Sequence, residues 1–321
     1  MTTIVASEDA MIRTETLASV LGDEAEVVVA DLESADDIVD AAREAAGLIV
    51  DVNTPVPTVV FEECEQLQVV ARAGVGVDRI DFEAAAANDV TVVNVPDYCR
   101  DEVSTHAASL LFAGIRRLSV FDSAVKGGNW HWTDGQPIYR LTGETVGFLS
   151  FGQLAQATAE KLQGFDCRFV AADPYVDEEE MAEYGVEKVP FDDLLEEADH
   201  VSIHAPLTDD TRGMFDRDAF RRMSDTAVLV NVGRGPIVKE DALAWALEEG
   251  EIAAAGLDVL ETEPPEDSPL LERDDVILTP HTAFYSEESL AYLNEHMAND
   301  ILAVLADEQP KGYVDPESDW L

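Results

Sequence analysis

Lysine is scarce in this sequence. It occurs five times, and lysine and arginine together number 20 against 67 aspartates and glutamates, which sets the formal net charge at −47. A surface of this sign repels nucleic acid and anionic membranes, so functions that need a basic patch are excluded. The acids recur between apolar positions in every segment, as in 31–40 and 177–187. The acidity is therefore a property of the whole surface rather than of a tail.

The preferred interpretation of this charge is a halophilic host with molar internal salt. In such a medium the Debye length falls to about 3 Å and the self-repulsion of the chain is screened. A docking surface for a basic partner is the alternative interpretation.

Other absences narrow the class of protein. Cys64, Cys99 and Cys167 are widely spaced, form no CxxC pair and are odd in number, which suits a reducing compartment rather than a disulfide framework. Neither an apolar run of about 18 residues nor a signal-peptide pattern is visible. The histidines and acids lack metal-ligand spacing, and no Ser, His and Asp arrangement indicates a hydrolase. We expect a soluble, cytoplasmic protein without a metal.

Two successive patterns of strands and helices divide the chain. Short β-branched runs alternate with acidic amphipathic stretches in the first hundred residues, and a long helix is predicted over 100–118 before a second alternating pattern begins. Intervals of this length suit crossover helices between parallel strands. The predicted strands cover 3–6, 27–29, 47–50, 67–71 and 90–93, then 145–149, 167–172, 200–203, 227–231, 253–257 and 276–278.

These patterns predict an α/β fold with two domains, for which 321 residues are sufficient. Six strands with helical intervals are expected of a dinucleotide-binding sheet. A helix predicted over 286–305 is too long to serve only as a cap for the sixth strand. We expect it to return to the first domain.

A candidate phosphate-binding turn lies at 147–155, between a predicted strand and a predicted helix. Against the pattern G-x-G-x-x-G/A, Gly152 is the second glycine and Ala155 the third position, while Ser150 replaces the first glycine. An ordinary strand-to-helix turn is an equal alternative for this segment alone. Asp173 follows the next strand, where a carboxylate can accept both hydroxyls of an adenosine ribose. Further acids and no neighbouring basic residue favour NAD over NADP.

More specific segments follow three successive strand ends of the second pattern. They are Asn-Val-Gly-Arg-Gly-Pro at 231–236, Asp-Val-Leu-Glu-Thr-Glu-Pro-Pro at 258–265 and Thr-Pro-His at 279–281. With Arg-Ala-Gly-Val-Gly-Val-Asp at 72–78, they closely resemble the D-isomer-specific 2-hydroxyacid dehydrogenases, and the match runs from about residue 60 to residue 305. Segments 94–99, 130–132 and 284–288 look most like the C-terminal-binding-protein branch of that family, although Phe284 stands where the branch often has tryptophan.

The resemblance implies two Rossmann-like doubly wound parallel-sheet domains with the active site in the cleft between them. Residues 1–99 and 287–321 would form the substrate domain, and residues 100–286 the dinucleotide-binding domain. It also implies a homodimer through the dinucleotide-binding domain. Trp130 and Trp132 are expected to be interface or core anchors rather than substrate contacts.

Three side chains suit the chemistry of such an enzyme. Reduction of a keto acid needs a proton donor beside the keto oxygen, and His281 can serve because imidazole titrates near neutrality. Glu263 would pair with His281 and hold it protonated. Arg234 offers a planar fork that matches the substrate carboxylate and keto oxygen, which lysine does not reproduce. Taken singly, each has an ordinary structural alternative.

Cofactor and substrate contacts are also implied by the resemblance. For NAD they are Phe151, Gly152, Gln153, Leu154, Asp173, Ala205, Pro206, Val232, Gly233 and Asp258, with Asp258 on the nicotinamide carboxamide. For the substrate they are Arg72, Val75, Gly76, Arg234 and His281. The remaining histidines, among them His106, His200 and His204, have no comparable context and are expected to be packing or loop residues.

The expected function is NAD-dependent interconversion of a small D-2-hydroxy acid and its 2-keto acid, in the direction of keto-acid reduction. One alternative is a dinucleotide-sensing scaffold of the C-terminal-binding-protein type, which the full Arg, Glu and His set argues against. The other is a phosphoglycerate-type dehydrogenase, which the lack of a basic cluster in the first hundred residues argues against.

Overall fold

The computed structural model describes residues 2–316 and 318, and it divides into two compact units. Met1–Cys99 and Tyr285–Leu321 form the first unit, and Arg100–Phe284 form the second. The strands are β1 Thr2–Ser7, β2 Ala25–Ala30, β3 Gly47–Val50, β4 Val69–Arg72, β5 Thr91–Val93, β6 Thr145–Leu149, β7 Arg168–Ala172, β8 Val186–Lys188, β9 His200–Ile203, β10 Val228–Asn231, β11 Ala254–Leu257 and β12 Val276–Leu278.

The helices alternate with these strands. They are α1 Thr14–Leu21, α2 Ala35–Ala42, α3 Thr58–Glu63, α4 Phe82–Ala87, α5 Arg100–Ile115, α6 Leu118–Lys126, α7 Gln153–Leu162, α8 Glu178–Glu183, α9 Phe191–Glu197, α10 Arg217–Phe220, α11 Glu240–Glu249 and α12 Glu287–Leu305. Within residues 2–316, no helix has the length and apolar character needed to span a bilayer.

The first unit is built on a parallel five-stranded sheet in the order β2-β1-β3-β4-β5. Strands β3 and β4 are buried throughout, as their continuous apolar runs predict for a sheet covered on both faces. The chain reverses its direction of winding between β1 and β3, which is where a doubly wound sheet opens at the carboxyl ends of its strands.

The last long helix, α12, belongs to the first unit and packs on α1. Ser286 caps it, and the capping box is completed by Ser289. Buried Asn294 ties the two helices together: its carbonyl oxygen accepts the backbone N–H of Arg13 at 2.7 Å, and its amide donates to the carbonyl of Met11 at 2.8 Å.

The second unit is built on a parallel seven-stranded sheet in the order β12-β11-β10-β9-β6-β7-β8. Winding reverses between β6 and β9, so this sheet opens beyond Leu149 and Ile203. Apolar side chains on both faces form its core, with Phe148 and Phe151 fully buried on one face and Phe215 and Phe220 on the other. The prediction of two doubly wound parallel sheets is confirmed.

Two details of the prediction for this unit are wrong. The sheet has a seventh strand, β8, which is a three-residue edge strand inside a segment dominated by acids, too short to show alternation. The long helix predicted over 100–118 ends at Ile115, because Arg117 adopts the left-handed conformation with φ of 52° and a separate helix begins at Leu118.

Glycine occupies both sides of the contact between helix α5 and the sheet. A Cβ on Gly114 would lie 2.6 Å from Cγ1 of Val228, and a Cβ on Gly256 would lie 2.8 Å from Cβ of Leu110. Neither glycine has a positive φ, so what selects them is the space available rather than backbone conformation. The helix is thereby seated directly on β10 and β11.

Candidate active site

The predicted catalytic and cofactor residues of the second unit all follow strands of one sheet. The segments after β6, β7, β9, β10, β11 and β12 contain them in that order. Since these strands are parallel, their carboxyl ends share one edge of the sheet, which is where open α/β sheets bind ligands.

The turn after β6 offers unpaired backbone donors. Gly152 is the N-cap of α7, and within residues 2–316 the N–H groups of Gly152, Gln153 and Leu154 donate to no protein acceptor. A Cβ on Gly152 would meet no atom within 4 Å. Free N–H groups, the positive end of the helix dipole and open space fit a pyrophosphate.

Ser150 and Asp173 lock the same turn to the end of β7. Ser150 has φ of 67°, the left-handed region in which the family pattern places glycine. The buried Asp173 carboxylate accepts the Ser150 hydroxyl at 3.0 Å and the Phe151 N–H at 2.8 Å, and its other oxygen accepts the N–H groups of Tyr175 and Val176. A ribose hydroxyl would therefore have to replace one of these protein donors.

The segments after β9 and β10 are in direct contact. A Cβ on Gly233 would lie 2.7 Å from the carbonyl oxygen of Ala205, so only glycine allows this approach. Val232 also donates its N–H to the carbonyl of Ile203 at 3.2 Å. Two pairs of predicted cofactor contacts, Ala205 with Pro206 and Val232 with Gly233, are thus neighbours in the structure.

Glu263 and His281 form a hydrogen-bonded pair. Glu263 Oε2 lies 2.8 Å from His281 Nδ1, and both side chains are 27% exposed. Burial alone would raise the pKa of Glu263, but the hydrogen bond and charge of His281, the N–H of Leu260 and the charge of Arg234 together lower it below its ordinary value. Glu263 is accordingly an anion at neutral pH.

Asp258 holds the loop that carries His281. His281 has φ of 49°, and its N–H donates to the carbonyl of Asp258 at 2.8 Å. The buried Asp258 carboxylate accepts the hydroxyl of Thr279 at 2.6 Å and the N–H groups of Thr282 and Ala283 at 2.9 and 2.8 Å. A strained conformation at a histidine, secured on both sides by one carboxylate, is typical of a functional position.

His106, on α5, lies at this site, although its sequence context predicted only a packing or loop role. Its Nε2 lies 2.9 Å from the hydroxyl of Thr279 and 3.6 Å from Oδ1 of Asp258. Thr279 begins the segment Thr-Pro-His at 279–281, which resembles the family. Its place in that segment indicated that its hydroxyl has a role. A partner so distant in sequence on another helix could not be identified from one sequence.

Arg234 follows β10 in extended conformation and is half-buried. Asn231 donates its side-chain amide to the carbonyl of Arg234 at 3.0 Å and accepts the N–H of Gly233 at 3.0 Å. This clamp directs the Arg234 backbone, and the guanidinium contributes to the low pKa of Glu263. Arg234, Glu263 and His281 are thereby brought together.

The predicted substrate contacts of the first unit follow β4. Arg72 is buried and donates to the backbone carbonyl of Asp51. Within residues 2–316, the N–H groups of Val75 and Gly76 donate to no protein acceptor, and Asn94 fixes the loop by donating to the carbonyl of Val75 at 2.7 Å. Two adjacent free amides suit a carboxylate.

The other histidines of the second sheet are structural. Burial lowers the pKa of His200 despite its hydrogen bond to Glu144 at 2.7 Å, and its Nδ1 accepts the N–H of Val228. Burial lowers the pKa of His204 to about 3, and its Nε2 lies 2.9 Å from the hydroxyl of Ser202. Trp130 and Trp132 are 83% and 76% exposed, so they are not core anchors.

Among the described residues, no cluster of three or more His, Cys, Asp or Glu side chains could hold a metal ion. A parallel sheet with an open helix N-terminus at its switch point, beside a histidine paired with a carboxylate and an arginine, defines a dinucleotide-binding α/β protein equipped for proton transfer to an anionic substrate.

Comparison with known proteins then identifies the family. The family described as D-isomer specific 2-hydroxyacid dehydrogenase, NAD binding domain, matches residues 108–283. The chain belongs to the D-isomer-specific 2-hydroxyacid dehydrogenases, and its second unit contains their NAD-binding domain. The predictions of the family and of NAD as the cofactor are confirmed.

Named relatives differ in their substrates. The chain is 37% identical to a glyoxylate reductase of Korarchaeum cryptofilum over 87% of this chain and 86% of that protein. It is also 37% identical to the D-3-phosphoglycerate dehydrogenase of Mycobacterium tuberculosis, over 90% of this chain but 54% of that protein. The chain thus spans about half the length of the phosphoglycerate dehydrogenases it matches.

Solved structures agree with the fold. The D-lactate dehydrogenase of Lactobacillus jensenii with NAD⁺ superposes with a TM-score of 0.81 at 26% identity, over 98% of this chain and all of that chain.

Proposed function

We propose that this protein reduces a small, unphosphorylated 2-keto acid to the D-2-hydroxy acid with NADH. The observation that carries this proposal is the 2.8 Å hydrogen bond between Glu263 and His281, with Arg234 close enough to lower the pKa of Glu263. The pair lies on the same sheet edge as the open N-terminus of α7.

His281 is the proton donor in this proposal, and its hydrogen bond to Glu263 determines which ring nitrogen donates. NADH, when bound, supplies the hydride that reduces the keto carbon. Nδ1 of His281 is engaged by Glu263, so Nε2 is the ring nitrogen that gives its proton to the keto oxygen as this oxygen gains charge. Glu263 stabilises the imidazolium before the transfer and orients the ring.

Arg234 binds the substrate anion in this proposal. Its planar fork can hold a carboxylate oxygen and the keto oxygen together, which orients the carbonyl toward the proton donor. Within the first unit, the free amides of Val75 and Gly76 are proposed as carboxylate donors, whereas Arg72 is buried and already donates to the carbonyl of Asp51. Asp258 is also proposed to contact the nicotinamide carboxamide. This contact is secondary, because the carboxylate oxygens already accept hydrogen bonds from the loop that carries His281.

Engagement of the arginines in the first unit favours an unphosphorylated substrate. Arg13 pairs with Glu287 at 2.5 Å and Arg43 with Glu63 at 3.0 Å. Arg79 donates to the carbonyl of Asn53, and Arg72 is buried. A phosphate carries more charge than a carboxylate and needs additional cations, so a phosphoglycerate-type substrate is the less favoured alternative.

A homodimer through the second unit is also proposed. Apolar side chains on α6 and in the following loop are concentrated on the surface, and they are Leu118, Val125, Trp130, Trp132 and Tyr139, each at least 45% exposed. An exposed patch of this kind on an otherwise highly charged protein is typical of an interface, and a second copy of the chain is the proposed occupant.

Two further predictions from the sequence remain proposals. Assignment to the C-terminal-binding-protein branch rests on segments 94–99, 130–132 and 284–288. A halophilic origin rests on the charge of −47. If the second is right, transfer from molar to millimolar KCl unfolds or dissociates the protein, as circular dichroism and light scattering would show.

The function is tested by following NADH oxidation in molar KCl with glyoxylate, pyruvate, hydroxypyruvate and 3-phosphohydroxypyruvate. We expect turnover with at least one of the three unphosphorylated acids and a lower kcat/KM with the phosphorylated acid. Preference for 3-phosphohydroxypyruvate would overturn the substrate class. If the protein binds NADH but turns over none of the four acids, the scaffold alternative is favoured.

A further inference from the structure

The loop between β11 and β12 carries Glu263, and buried Glu240 at the start of α11 holds it. Oε1 of Glu240 accepts the N–H of Glu261 at 2.7 Å, and the Glu261 carboxylate in turn accepts the N–H of Glu240 at 3.0 Å. Oε2 of Glu240 accepts the hydroxyl of Ser268. One side chain thus fixes the loop on both sides of Glu263.

A second contact presses the same loop against the segment that follows Arg234. A Cβ on Gly235 would lie 1.8 Å from the carbonyl oxygen of Leu260 and 2.0 Å from its carbonyl carbon. Because the obstacle is backbone, no side-chain rotation could relieve the clash. The adjoining N–H of Leu260 donates to Oε1 of Glu263 at 3.0 Å, which leaves Oε2 for His281.

We propose that Glu240 is a positioning residue that sets the protonation of His281 through Glu263. The proposal rests on the proposed function, since it assigns Glu240 to the same acid–base pair. The bonds form a continuous path. Glu240 holds the peptide of Glu261, the neighbouring N–H of Leu260 holds one oxygen of Glu263, and the other oxygen meets the imidazole.

A general effect of acids at a helix N-terminus does not account for this arrangement. Asp241 is the next residue in the first turn of α11, yet it is exposed, and among the described hydrogen bonds its side chain forms none. Glu240, in contrast, is 8% exposed and has both oxygens engaged by the loop. Asp241 is therefore a matched control for charge at the same helix end.

Several charged groups surround the pair of Glu263 and His281. The test must distinguish the effect of Glu240 from the effects of these other groups. Arg234 follows β10, Asp258 follows β11, and Glu240 and Glu261 form the clasp between α11 and the loop. Substitution of Arg234 or Asp258 would disturb the substrate fork or the His281 loop directly. Substitution of Glu240 leaves the hydrogen bonds of both residues in place.

The experiment compares Glu240→Ala, Glu240→Gln, Asp241→Asn, Glu263→Gln and the double variant of Glu240→Ala with Glu263→Gln. Two quantities are measured in the full-length protein. One is the pH profile of kcat/KM for keto-acid reduction. The other is the titration of the His281 ring followed by NMR without coenzyme, a readout independent of turnover. Thermal unfolding and NADH binding are recorded for each variant.

Loss of a charged partner moves such a titration by about 1 pH unit. We expect Glu263→Gln to shift both curves to lower pH by this amount, Glu240→Ala to shift them in the same direction by less, and Asp241→Asn to overlay the parent. In the double variant, the substitution at Glu240 should add nothing to the shift of Glu263→Gln, because its effect passes through Glu263. NADH affinity should stay unchanged throughout.

Curves for Glu240→Ala that overlay the parent, whatever its melting temperature, would overturn the proposal, as would additive shifts in the double variant. If Glu240→Ala does not fold, Ser268→Ala decides instead, since it removes the Ser268 bond with little change of volume. Glu240→Gln then tests whether the charge of Glu240 is also needed. Normal turnover and normal titration in Glu263→Gln would point to failure of the proposed function itself.

Discussion

The carboxyl edge of the second sheet has two halves that are built differently. After β6, β7 and β9, the groups available to a ligand are backbone amides, such as those of Gly152 and Gln153, while the nearby Asp173 and His204 bond to the protein itself. After β10, β11 and β12, they are the side chains of Arg234, Glu263 and His281. Backbone amides tolerate many sequences, whereas proton transfer requires particular side chains.

Substitution of His281 should have the largest effect and should separate the two halves. We expect His281→Ala to lower kcat for keto-acid reduction by about 10²- to 10⁴-fold at every pH, the usual contribution of a positioned proton donor. NADH binding should be unchanged in a fluorescence titration, because His281 is not among the predicted cofactor contacts. His296→Ala is the matched control, because His296 lies on α12 of the first unit. Equal activity of the two variants would contradict the assignment.

The stability of the fold at low pH tests whether His204 is structural. His204 lies in the half of the edge that follows β6, β7 and β9, called here the cofactor half. Its pKa is lowered to about 3 by burial, and its Nδ1 is shielded with no partner among the described residues. In the unfolded chain the ring protonates near pH 6.5, so the unfolded state binds more protons between these two values. Stability should therefore fall as pH is lowered through this window, by at most about 1.4 kcal/mol per pH unit from this group.

His204→Gln should remove that dependence. Urea unfolding at pH 7 and pH 5 gives the measurement, with the difference between the two pH values smaller in the variant than in the parent. An identical difference in both proteins would show that His204 is not the group responsible.

Coenzyme preference tests the carboxylate of the cofactor half. We expect kcat/KM to be higher for NADH than for NADPH, because the carboxylate of Asp173 would repel a 2′-phosphate. Asp173→Ala should narrow the ratio by about tenfold, equivalent to about 1.4 kcal/mol. It should also lower the melting temperature, since four protein donors lose their acceptor. A parent that prefers NADPH would contradict this prediction.

Ser150 should give the smallest effect, because two terms oppose each other. Ser150→Gly relieves a left-handed conformation that costs about 1 kcal/mol, but it loses a hydrogen bond to Asp173 of similar value. We expect nearly unchanged stability. Ser150→Ala keeps the strain and loses the bond, and should be less stable by about 1 kcal/mol. Thermal unfolding of both variants measures the difference, and equal melting temperatures would show that the bond contributes nothing.

The contrast between backbone groups in one half of the edge and side chains in the other also explains which site residues could be predicted from the sequence. Arg234, Glu263 and His281 were recognisable because they stand in segments of distinctive composition at successive strand ends, and parallel topology then brings them together. Most strands were predicted within two residues of their bounds, since continuous β-branched runs mark buried parallel strands. No comparable sequence pattern predicted the strand β8 or the end of α5 before Arg117.

Contacts between segments that are distant in the sequence could not be predicted from it. His106 meets Thr279 across 173 positions, and Glu240 meets Glu261 only because helix α11 begins beside the loop after β11. In so acidic a chain, Glu240 is indistinguishable by sequence from the exposed Asp241 that follows it. Its partners depend on three-dimensional packing, which periodicity does not describe.

Gly114 and Gly256 have a consequence for recombination between relatives. Each omits a side chain where α5 meets β10 and β11, opposite Val228 and Leu110. A chimera that takes α5 from one parent and the strands from another would inherit only half of each matched pair. If the donor carries alanine at either glycine position, α5 must move outward by a few tenths of an ångström or more, and His106 moves with it. Crossover points should therefore keep residues 100–115 and 228–257 from the same parent.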